Sequence, residues 1–306
     1  MSAAETLETA TVARWLARDW NLSGATVEPH HGGMNSRTWF VADGDRRFVA
    51  KAVPIAAGAQ FSAGLAVAAR VEVAGIPAGA PVLTTNGGSS VTRDGWTLAL
   101  LTFVDGDGLT GESDRDKRLI GATLARAHLA LAGAAFPDAE RFHWLDPDGG
   151  HLGIRAWIRP AIVDALAGWE RLPPSSLTWG PLHSDPAPEA FRFDVTTGVC
   201  GIIDWDRALV GPRMYDLASA VMYVDPRRSG PLVEEYVGHG GLGRDEVERA
   251  LIPLLRLRFA VQADYFASRI STNDMTGIGD ASENDKGLED ARQALTDENS
   301  ATESWG

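Results

Sequence analysis

Apolar residues recur with two different periods along the chain, and the change between them separates an early part from a later part. Between residues 28 and 104, apart from residues 59 to 74, the apolar positions alternate or form short runs, such as Trp96 to Val104. Asp43-Gly44, which separates two of these runs, is typical of a tight hairpin turn. The early part is therefore predicted to form a small antiparallel sheet.

Helical spacing, with apolar residues three and four positions apart, marks the remaining segments. The predicted helical segments are residues 3 to 18, 59 to 74, 116 to 132, 154 to 169 and 231 to 270, the last of which is predicted to contain two or more helices. Pro253 lies inside the last segment, where the helix is predicted to break or bend. His128 lies on the apolar stripe of its helix and is predicted to be a packing residue. The later part of the chain is thus mainly helical.

Two acid-bearing segments flank a short apolar hairpin in the later part. His183-Ser184-Asp185 precedes the hairpin, and Asp204-Trp205-Asp206 follows it. Phe191 to Phe193 and Val199 to Ile203 are its predicted strands, with a glycine turn between them, so Asp185 and Asp204 come close together at one end. Like charges held this close repel each other, and the cluster therefore calls for a divalent cation.

Each residue of this segment, taken alone, also fits an ordinary structural role. One carboxylate could cap a helix, another could pair with Arg207 or Arg213, and His183 could be a hydrogen-bonded core histidine. Separate structural roles explain the residues one at a time more readily than they explain why all of them occur in this order.

The order of these residues resembles the aminoglycoside phosphotransferase and choline kinase-like superfamily, which is related to the protein kinases. Its catalytic loop reads His-Gly-Asp, followed by Ile-Asp-Trp-Asp/Glu and by Gly-Pro-x-x-Tyr-Asp-Leu-Ala before a helix. The matching residues are His183, Asp185, Ile203 to Asp206 and Gly211 to Ala218. The resemblance implies an α+β, bilobal protein-kinase-like fold. Residues 1–104 would form a nucleotide-binding lobe with a small antiparallel sheet, and residues 105–306 a mainly helical catalytic and substrate-binding lobe.

The same resemblance implies a role for each candidate site residue. Lys51 would pair with the ATP phosphates beneath a glycine-bearing hairpin, and Asp185 would accept or orient the proton of an incoming hydroxyl. Asp204 and Asp206 would hold Mg²⁺, and Asp216 would fix the catalytic loop through hydrogen bonds. The residues implied in nucleotide binding are Gly32, Gly33, Asn35, Ser36, Lys51, Leu101, Thr102 and Phe103.

Three positions depart from the superfamily pattern. The metal-binding Asn of the superfamily falls at Ala190, whose methyl group cannot ligate a cation, and Ser184 replaces a glycine. Glu189 is the nearest oxygen donor. It is predicted either to ligate Mg²⁺ in place of the Asn or to be a solvated loop residue while water completes the shell. The superfamily's partner for the lysine falls near Ser62 to Ala66, where this sequence has no acid, so Glu72, the only carboxylate on its helix, is either the partner of Lys51 or a solvated residue.

Composition narrows the range of partners and compartments. A net charge of -13 and a sequence pI near 5.0 argue against nucleic acid and anionic membranes as partners, and they are compatible with a cationic substrate. The single Cys200 allows no internal disulfide and is predicted to be a small buried hydrophobe. Neither a signal peptide nor a run of about 18 apolar residues occurs, so a cytoplasmic protein is expected.

Three functions are compatible with these observations. The first is an ATP- and Mg²⁺-dependent phosphotransferase that acts on a hydroxyl of a small molecule, such as an antibiotic, an amino sugar or an amino alcohol. Ala190 leaves open a nucleotide-binding pseudokinase, and nucleotidyl transfer on the same fold is the third. The retained Lys51, Asp185 and Asp204 favour the first function over the second.

Overall fold

The structure is a computed structural model that describes residues 7–30, 36–136, 139–140, 142 and 145–296. The helices are α1 (Thr9–Trp20), α2 (Gly58–Val73), α3 (Asp114–Ala130), α4 (Ile158–Glu170), α5 (Met214–Tyr223), α6 (Gly230–Gly238), α7 (Arg244–Thr272) and α8 (Ser282–Thr296). The strands are β1 (Thr26–His30), β2 (Arg37–Asp43), β3 (Arg46–Pro54), β4 (Val91–Arg93), β5 (Trp96–Thr102), β6 (Asp107–Gly108), β7 (Trp179–Leu182), β8 (Phe191–Asp194), β9 (Val199–Ile202) and β10 (Leu209–Pro212).

The first five strands form one antiparallel sheet in the order β1-β2-β3-β5-β4. β3 is central, and its Lys51 lies opposite Ala99 of β5. Successive side chains of a strand point to opposite faces. Ala50 and Ala52 therefore pack in the core beneath α1, whereas Lys51 and Val53 lie on the face covered by α2. The register of one strand thus directs a lysine to the face between the sheet and α2.

The later part of the chain is mainly helical and encloses two apolar cores. α3 packs against α6 and α5 against α7 around the first core, which includes Leu124 and Leu254. α4, α8 and the second half of α7 enclose the other core, which includes Ala263 and Leu288. The predicted α+β, bilobal kinase-like architecture is confirmed, and α7 links its two helical cores.

Two small sheets lie between these helices and carry the acid-bearing loops. β8 and β9 form the predicted hairpin, with Phe191 opposite Ile202, and β6 adds a short third strand that the pattern did not predict. β7 and β10 form a two-stranded sheet, with Leu182 opposite Leu209. Loops 183–190 and 203–208 each connect one small sheet to the other. At one end they adjoin the paired residues Leu182 and Leu209, and at the other end the paired residues Phe191 and Ile202. They therefore lie side by side.

Several helices differ from the predictions, and α1 begins at Thr9, later than predicted. Residues 150 to 154 form a 3₁₀ turn, so α4 begins at Ile158 and not at residue 154. α7 continues through Pro253, so a break of the helix there is wrong, and the alternative of a bend stays a prediction. Leu251, Leu254 and Leu255 are buried around the proline. Their packing outweighs the cost of about 3 kcal/mol that a proline imposes on a helix interior.

The large sheet ends with β5 at Thr102, and β6 already pairs with the hairpin of the later part. A division of the chain between residues 104 and 105 is compatible with this arrangement and stays a prediction. Across the described residues, no helix combines the length and the apolar character that crossing a bilayer requires.

Candidate active site

The loop that carries Asp185 is fixed by a buried carboxylate on α5. Asp216, in the first turn of that helix, accepts hydrogen bonds from the backbone N–H groups of His183 (2.7 Å) and Ser184 (2.8 Å). Asp216 is fully buried, so these charge-assisted bonds are shielded from water. The predicted role of Asp216 in holding the loop agrees with this geometry.

His128 on α3 holds Asp216 in turn. Its Nε2 lies 2.9 Å from an Asp216 carboxylate oxygen, and its Nδ1 lies 2.6 Å from the Tyr236 hydroxyl. Burial lowers the pKa of His128 and outweighs the opposite effect of Asp216. The imidazole is therefore neutral, with Nε2–H donating to Asp216 and Nδ1 accepting from Tyr236. His128 is a packing residue, as predicted, and it orients the carboxylate that orients the loop.

Because His128 is neutral in the folded protein, we expect the free energy of unfolding to fall as the pH decreases below the ordinary histidine pKa of 6.5. In that range the unfolded chain binds a proton that the folded chain does not bind, so acid favours unfolding. One such group contributes at most about 1.4 kcal/mol per pH unit. Urea unfolding between about pH 7.5 and 5.5 measures the slope, which His128→Gln should reduce. Equal slopes in the two proteins would contradict the neutral histidine.

His183 joins the two acid-bearing loops. Its Nε2 lies 2.8 Å from the backbone carbonyl oxygen of Ile203 and donates to it. Its ring packs edge-on against Trp205, with 4.7 Å between the ring centroids. The backbone N–H of Ile203 also donates to the carbonyl of Ala190, at 2.9 Å. These contacts hold Asp185 and Asp204 on adjacent loops, as the sequence predicts.

Two residues of these loops have left-handed backbone conformations. Ser184 has φ of 71° and Asp204 has φ of 77°. Such angles are costly for residues with a Cβ atom, which explains why the superfamily has glycine at the position of Ser184. The Ser184 hydroxyl compensates by donating to the carbonyl of Arg207, at 2.5 Å. Asp204, the predicted metal ligand, is itself strained, and strained residues are common at functional sites.

We expect Ser184→Gly to be more stable than Ser184→Ala by about 1 kcal/mol. Both variants lose the hydrogen bond to Arg207, but only glycine relieves the left-handed strain. The free energies of unfolding in urea measure the difference. If the alanine variant were as stable as the glycine variant, the strain at this position would be negligible.

Lys51 forms one cluster with both carboxylates that follow the hairpin. Its Nζ contacts an Asp204 oxygen and lies 3.0 Å from an Asp206 oxygen, and only 9% of Lys51 is exposed. Burial alone would lower the pKa of Lys51, but the two carboxylates outweigh it and raise the pKa. Contact with Lys51 lowers the pKa of Asp204 against the effect of burial. Burial and repulsion by Asp204 raise the pKa of Asp206. Two carboxylates thus share a single cation.

Glu72 plays neither of the roles predicted for it. Its carboxylate accepts from the backbone N–H groups of Ala78 (3.2 Å) and Ala80 (3.0 Å), and from the Thr102 hydroxyl. Glu72 therefore ties the loop after α2 to the end of β5, and it is not the partner of Lys51.

α2 packs directly on the loop that follows the hairpin. A Cβ atom at Gly64 would overlap the backbone carbonyl of Trp205. The helix therefore needs glycine there to approach this closely. Asp206, a residue of this loop whose side chain is only 11% exposed, provides a negative charge that pairs with Lys51.

Glu189 lies in a 3₁₀ turn, Pro188–Ala190, with its side chain exposed. Its negative charge contributes to raising the pKa of Tyr223, after the larger effects of burial, Arg258 and Asp185. Ala190 beside it is buried. The role of Glu189 as a metal ligand stays a prediction.

The residues present fit a magnesium ion that arrives with a nucleotide. No three His, Cys, Asp or Glu residues in the described part of the chain are grouped so that they could hold a metal. Mg²⁺ in such sites typically takes one or two carboxylates and completes its shell with phosphate oxygens and water. Asp204, whose side chain is 56% exposed beside Lys51, suits this requirement, and Asp206 can supply a second oxygen.

The predicted nucleotide-binding residues are described only in part. Gly32, Gly33 and Asn35 lie outside the described residues, while Ser36 immediately precedes β2. At the end of β5, the N–H of Thr102 donates to the carbonyl of Ala80, at 2.9 Å, and is therefore already used.

The other two predicted hinge residues flank Thr102. Leu101 packs with the apolar cluster beneath α2. The ring of Phe103 lies 4.3 Å from the guanidinium of Arg47, which also pairs with Asp105. Contact of the Leu101 and Phe103 backbones with adenine stays a prediction.

Sequence reasoning missed the two partners of Asp185. The Asp185 Oδ1 accepts from the Tyr223 hydroxyl (2.5 Å) and from the Arg258 guanidinium (3.1 Å). Arg258 stands among Leu254, Leu255 and Leu257 on α7. A charged residue inside an apolar run is the available signal, because buried charges require a partner.

The sequence matches the model of the phosphotransferase enzyme family APH over residues 26–251. The chain belongs to this family. The match includes Lys51, both acid-bearing loops and Arg213 to Asp216 at the start of α5, and it ends within α7. A comparison with curated protein sequences found no match.

Solved structures confirm the fold of this APH-family chain at low sequence identity. An amicoumacin kinase in complex with AMP-PNP, Ca²⁺ and its ligand is 13% identical, with a TM-score of 0.72 over 94% of this chain and 93% of that chain. A microcompartment-associated aminopropanol kinase is 18% identical, with a TM-score of 0.72 over 94% and 95%. A choline/ethanolamine kinase family protein from Mesorhizobium loti is 16% identical, with a TM-score of 0.68 over 95% and 96%.

Proposed function

We propose that this APH-family chain is a cytoplasmic ATP-dependent phosphotransferase that phosphorylates a hydroxyl group of a small molecule. The observation that carries the proposal is the placement of a buried lysine and two carboxylates beside a third, separately held carboxylate. Lys51, Asp204 and Asp206 form the first group. Asp185, on the adjacent loop, forms hydrogen bonds with Tyr223 and Arg258 instead. Phosphoryl transfer requires little else than such positioning and neutralisation of charge.

Lys51 would bind the phosphates of ATP or of another nucleoside triphosphate. Asp204 would hold Mg²⁺, with Asp206 as a second ligand or as the group that keeps Lys51 in place. When bound, the metal neutralises phosphate charge. Because Lys51 is buried on β3 and pairs with both Asp204 and Asp206, its ammonium group has a fixed location before any nucleotide arrives. Such preorganisation avoids a reorganisation cost during the reaction.

Asp185 would align the hydroxyl of the acceptor, the molecule that receives the phosphate, and would take its proton. Its side chain is 52% exposed, so an acceptor can reach it from solvent. A carboxylate is a weak base for an alcohol, and alignment of the hydroxyl is therefore the larger part of its role.

The acceptor is proposed to be an amino-bearing alcohol, an amino sugar or a related antibiotic. Three structural relatives support this class. Two are named as kinases of amicoumacin and aminopropanol. The third is a spectinomycin phosphotransferase that is 12% identical, with a TM-score of 0.72 over 95% of this chain and 99% of that chain. The net charge of -13 also suits a cationic acceptor. Nucleic acid and membranes are not proposed as partners.

Mass spectrometry of a panel of amino alcohols, amino sugars and antibiotics incubated with ATP and Mg²⁺ tests the proposal. A product heavier by one phosphate supports it, and an adenylated product would assign the chain to nucleotidyl transfer instead. Binding of ATP without any transfer would favour a pseudokinase, the reading suggested by Ala190. For an accepted cationic substrate, the KM should rise with salt, because screening weakens its attraction to an acidic protein.

A further inference from the structure

Three residues from different parts of the fold meet at one carboxylate oxygen. Tyr223 at the end of α5 and Arg258 in the middle of α7 both donate to Oδ1 of Asp185, at 2.5 and 3.1 Å. The Arg258 guanidinium also donates to the Tyr223 hydroxyl, at 3.0 Å, which closes a triangle of hydrogen bonds. In the described part of the chain nothing donates to Oδ2 of Asp185. The two oxygens of this carboxylate are therefore in different environments.

Arg258 is the anchor of this triangle. Its side chain is only 10% exposed, and neighbouring leucines of α7 lie in the apolar core. Burial alone would lower the pKa of Arg258, but Tyr215, Tyr223 and Asp185 outweigh this effect and raise it. Its guanidinium also lies 5.6 Å from the centre of the Tyr223 ring. A charged group held this firmly can fix the orientation of a partially exposed partner.

Tyr223 is a hydrogen-bond donor in this arrangement. Burial, together with the negative charge of Asp185, raises its pKa despite the opposing charge of Arg258. The phenol therefore keeps its proton, donates it to Asp185 and accepts from Arg258. A phenylalanine at this position would retain the ring and its packing while removing only this bond.

We propose that Arg258 and Tyr223 are positioning residues that hold Asp185 by Oδ1 and leave Oδ2 directed to the acceptor hydroxyl. This inference rests on the proposed function. The hydroxyl needs a carboxylate in one orientation, and displacement of a catalytic group by about 1 Å can cost about 100-fold in rate. Arg258 also supplies a permanent countercharge to Asp185. The acceptor therefore does not need a cationic group next to its reacting hydroxyl.

Kinetics of Tyr223→Phe tests the inference directly, with an acceptor from the panel or, in its absence, with water as acceptor in ATP hydrolysis. We expect kcat to fall about 10- to 100-fold while the KM for ATP is unchanged. Arg258→Lys should retain only part of the rate, because it keeps the charge but displaces the nitrogen that donates to both Asp185 and Tyr223. Arg256→Met is the matched control, because Arg256 lies on the same helix but pairs with Asp164. It should behave as the wild type.

A double variant separates positioning from a general structural role. If Tyr223 acts through Asp185, then Tyr223→Phe should lower kcat in the wild type but cause no further loss in Asp185→Ala. An equal loss in both backgrounds, or a wild-type rate in Tyr223→Phe, would overturn the proposal.

Thermal unfolding tests the pairing without any substrate. Removing Asp185 leaves Arg258 buried without its carboxylate, so Asp185→Ala should lower the Tm by about 2–4 °C. The combination of Asp185→Ala with Arg258→Met should lose less than the sum of the two single variants. Additive losses would overturn the pairing itself. A wild type that transfers phosphate to neither acceptor nor water, despite coupled Tm values, would overturn the proposed function and the catalytic part of this inference.

Discussion

Replacing Asp185 by alanine is expected to lower the turnover number for phosphoryl transfer by about 10²- to 10⁴-fold, the usual range for a general base. The affinity for nucleotide should change little, because Asp185 contacts Tyr223 and Arg258 and not the lysine cluster. Steady-state kinetics gives the turnover number, and calorimetric titration with a non-hydrolysable ATP analogue gives the affinity.

Asp185→Asn is the matched control for this prediction. Asparagine can still accept hydrogen bonds from Tyr223 and Arg258 at Oδ1, so the loop should keep its conformation. Its Nδ2 then replaces Oδ2, so the side chain can neither accept a hydrogen bond from the acceptor hydroxyl nor take its proton, and the turnover number should fall nearly as far as in the alanine variant. A turnover number close to that of the wild type in either variant would remove Asp185 from the mechanism.

The sequence predicts those parts of the site that are determined locally. The strand pattern places Lys51 on a strand, and the pattern of residues 191 to 203 predicts a hairpin, which the structure confirms. The two loops at its end therefore come together wherever the hairpin packs. The motif after the hairpin predicts a structural role for Asp216, and the hydrogen bond from His183 agrees with it. This role could be predicted because Asp216 lies in the first turn of the helix that the motif precedes.

The remaining parts depend on contacts between distant segments. Tyr223 and Arg258 lie 38 and 73 residues from Asp185, and helical periodicity does not reveal which face of α7 meets the catalytic loop. Glu72 is misread for a related reason. The position of a carboxylate on a helix does not predict that the next loop folds back to donate two N–H groups to it. Likewise, Pro253 does not interrupt α7, because the helix packs against both helical cores.

Replacing Lys51 by methionine is expected to lower the turnover number by about 10²- to 10³-fold, as for the loss of one donor that stabilises transition-state charge. Affinity for ATP should weaken as well, because the phosphates lose their cation. Lys286→Met is the matched control, since Lys286 pairs with Asp290 on the exposed surface of α8. Kinetics and ATP binding in the control should equal those of the wild type.

A metal ion alone gives a second readout of the same cluster. Lys51 pairs with both Asp204 and Asp206, so a divalent cation must compete with its ammonium group. Lys51→Met should therefore bind Mn²⁺, used as a paramagnetic probe for Mg²⁺, more tightly than the wild type does. The measurement belongs near pH 8. Burial and repulsion by Asp204 raise the pKa of Asp206, and protons would compete with the metal at lower pH.

Variants of the three candidate ligands then determine which of them binds the metal. Asp204→Asn should abolish both Mn²⁺ binding and the magnesium dependence of ATP binding, because Asp204 is the most exposed oxygen donor of the cluster. Asp206→Asn should weaken metal binding less if its main role is to hold Lys51. Glu189→Gln should raise the magnesium requirement only if Glu189 replaces the missing Asn at Ala190. If Asp204→Asn bound ATP with unchanged magnesium dependence, the carboxylates beside Lys51 would not be a metal site, and Lys51 would be no more than the centre of a structural ion pair.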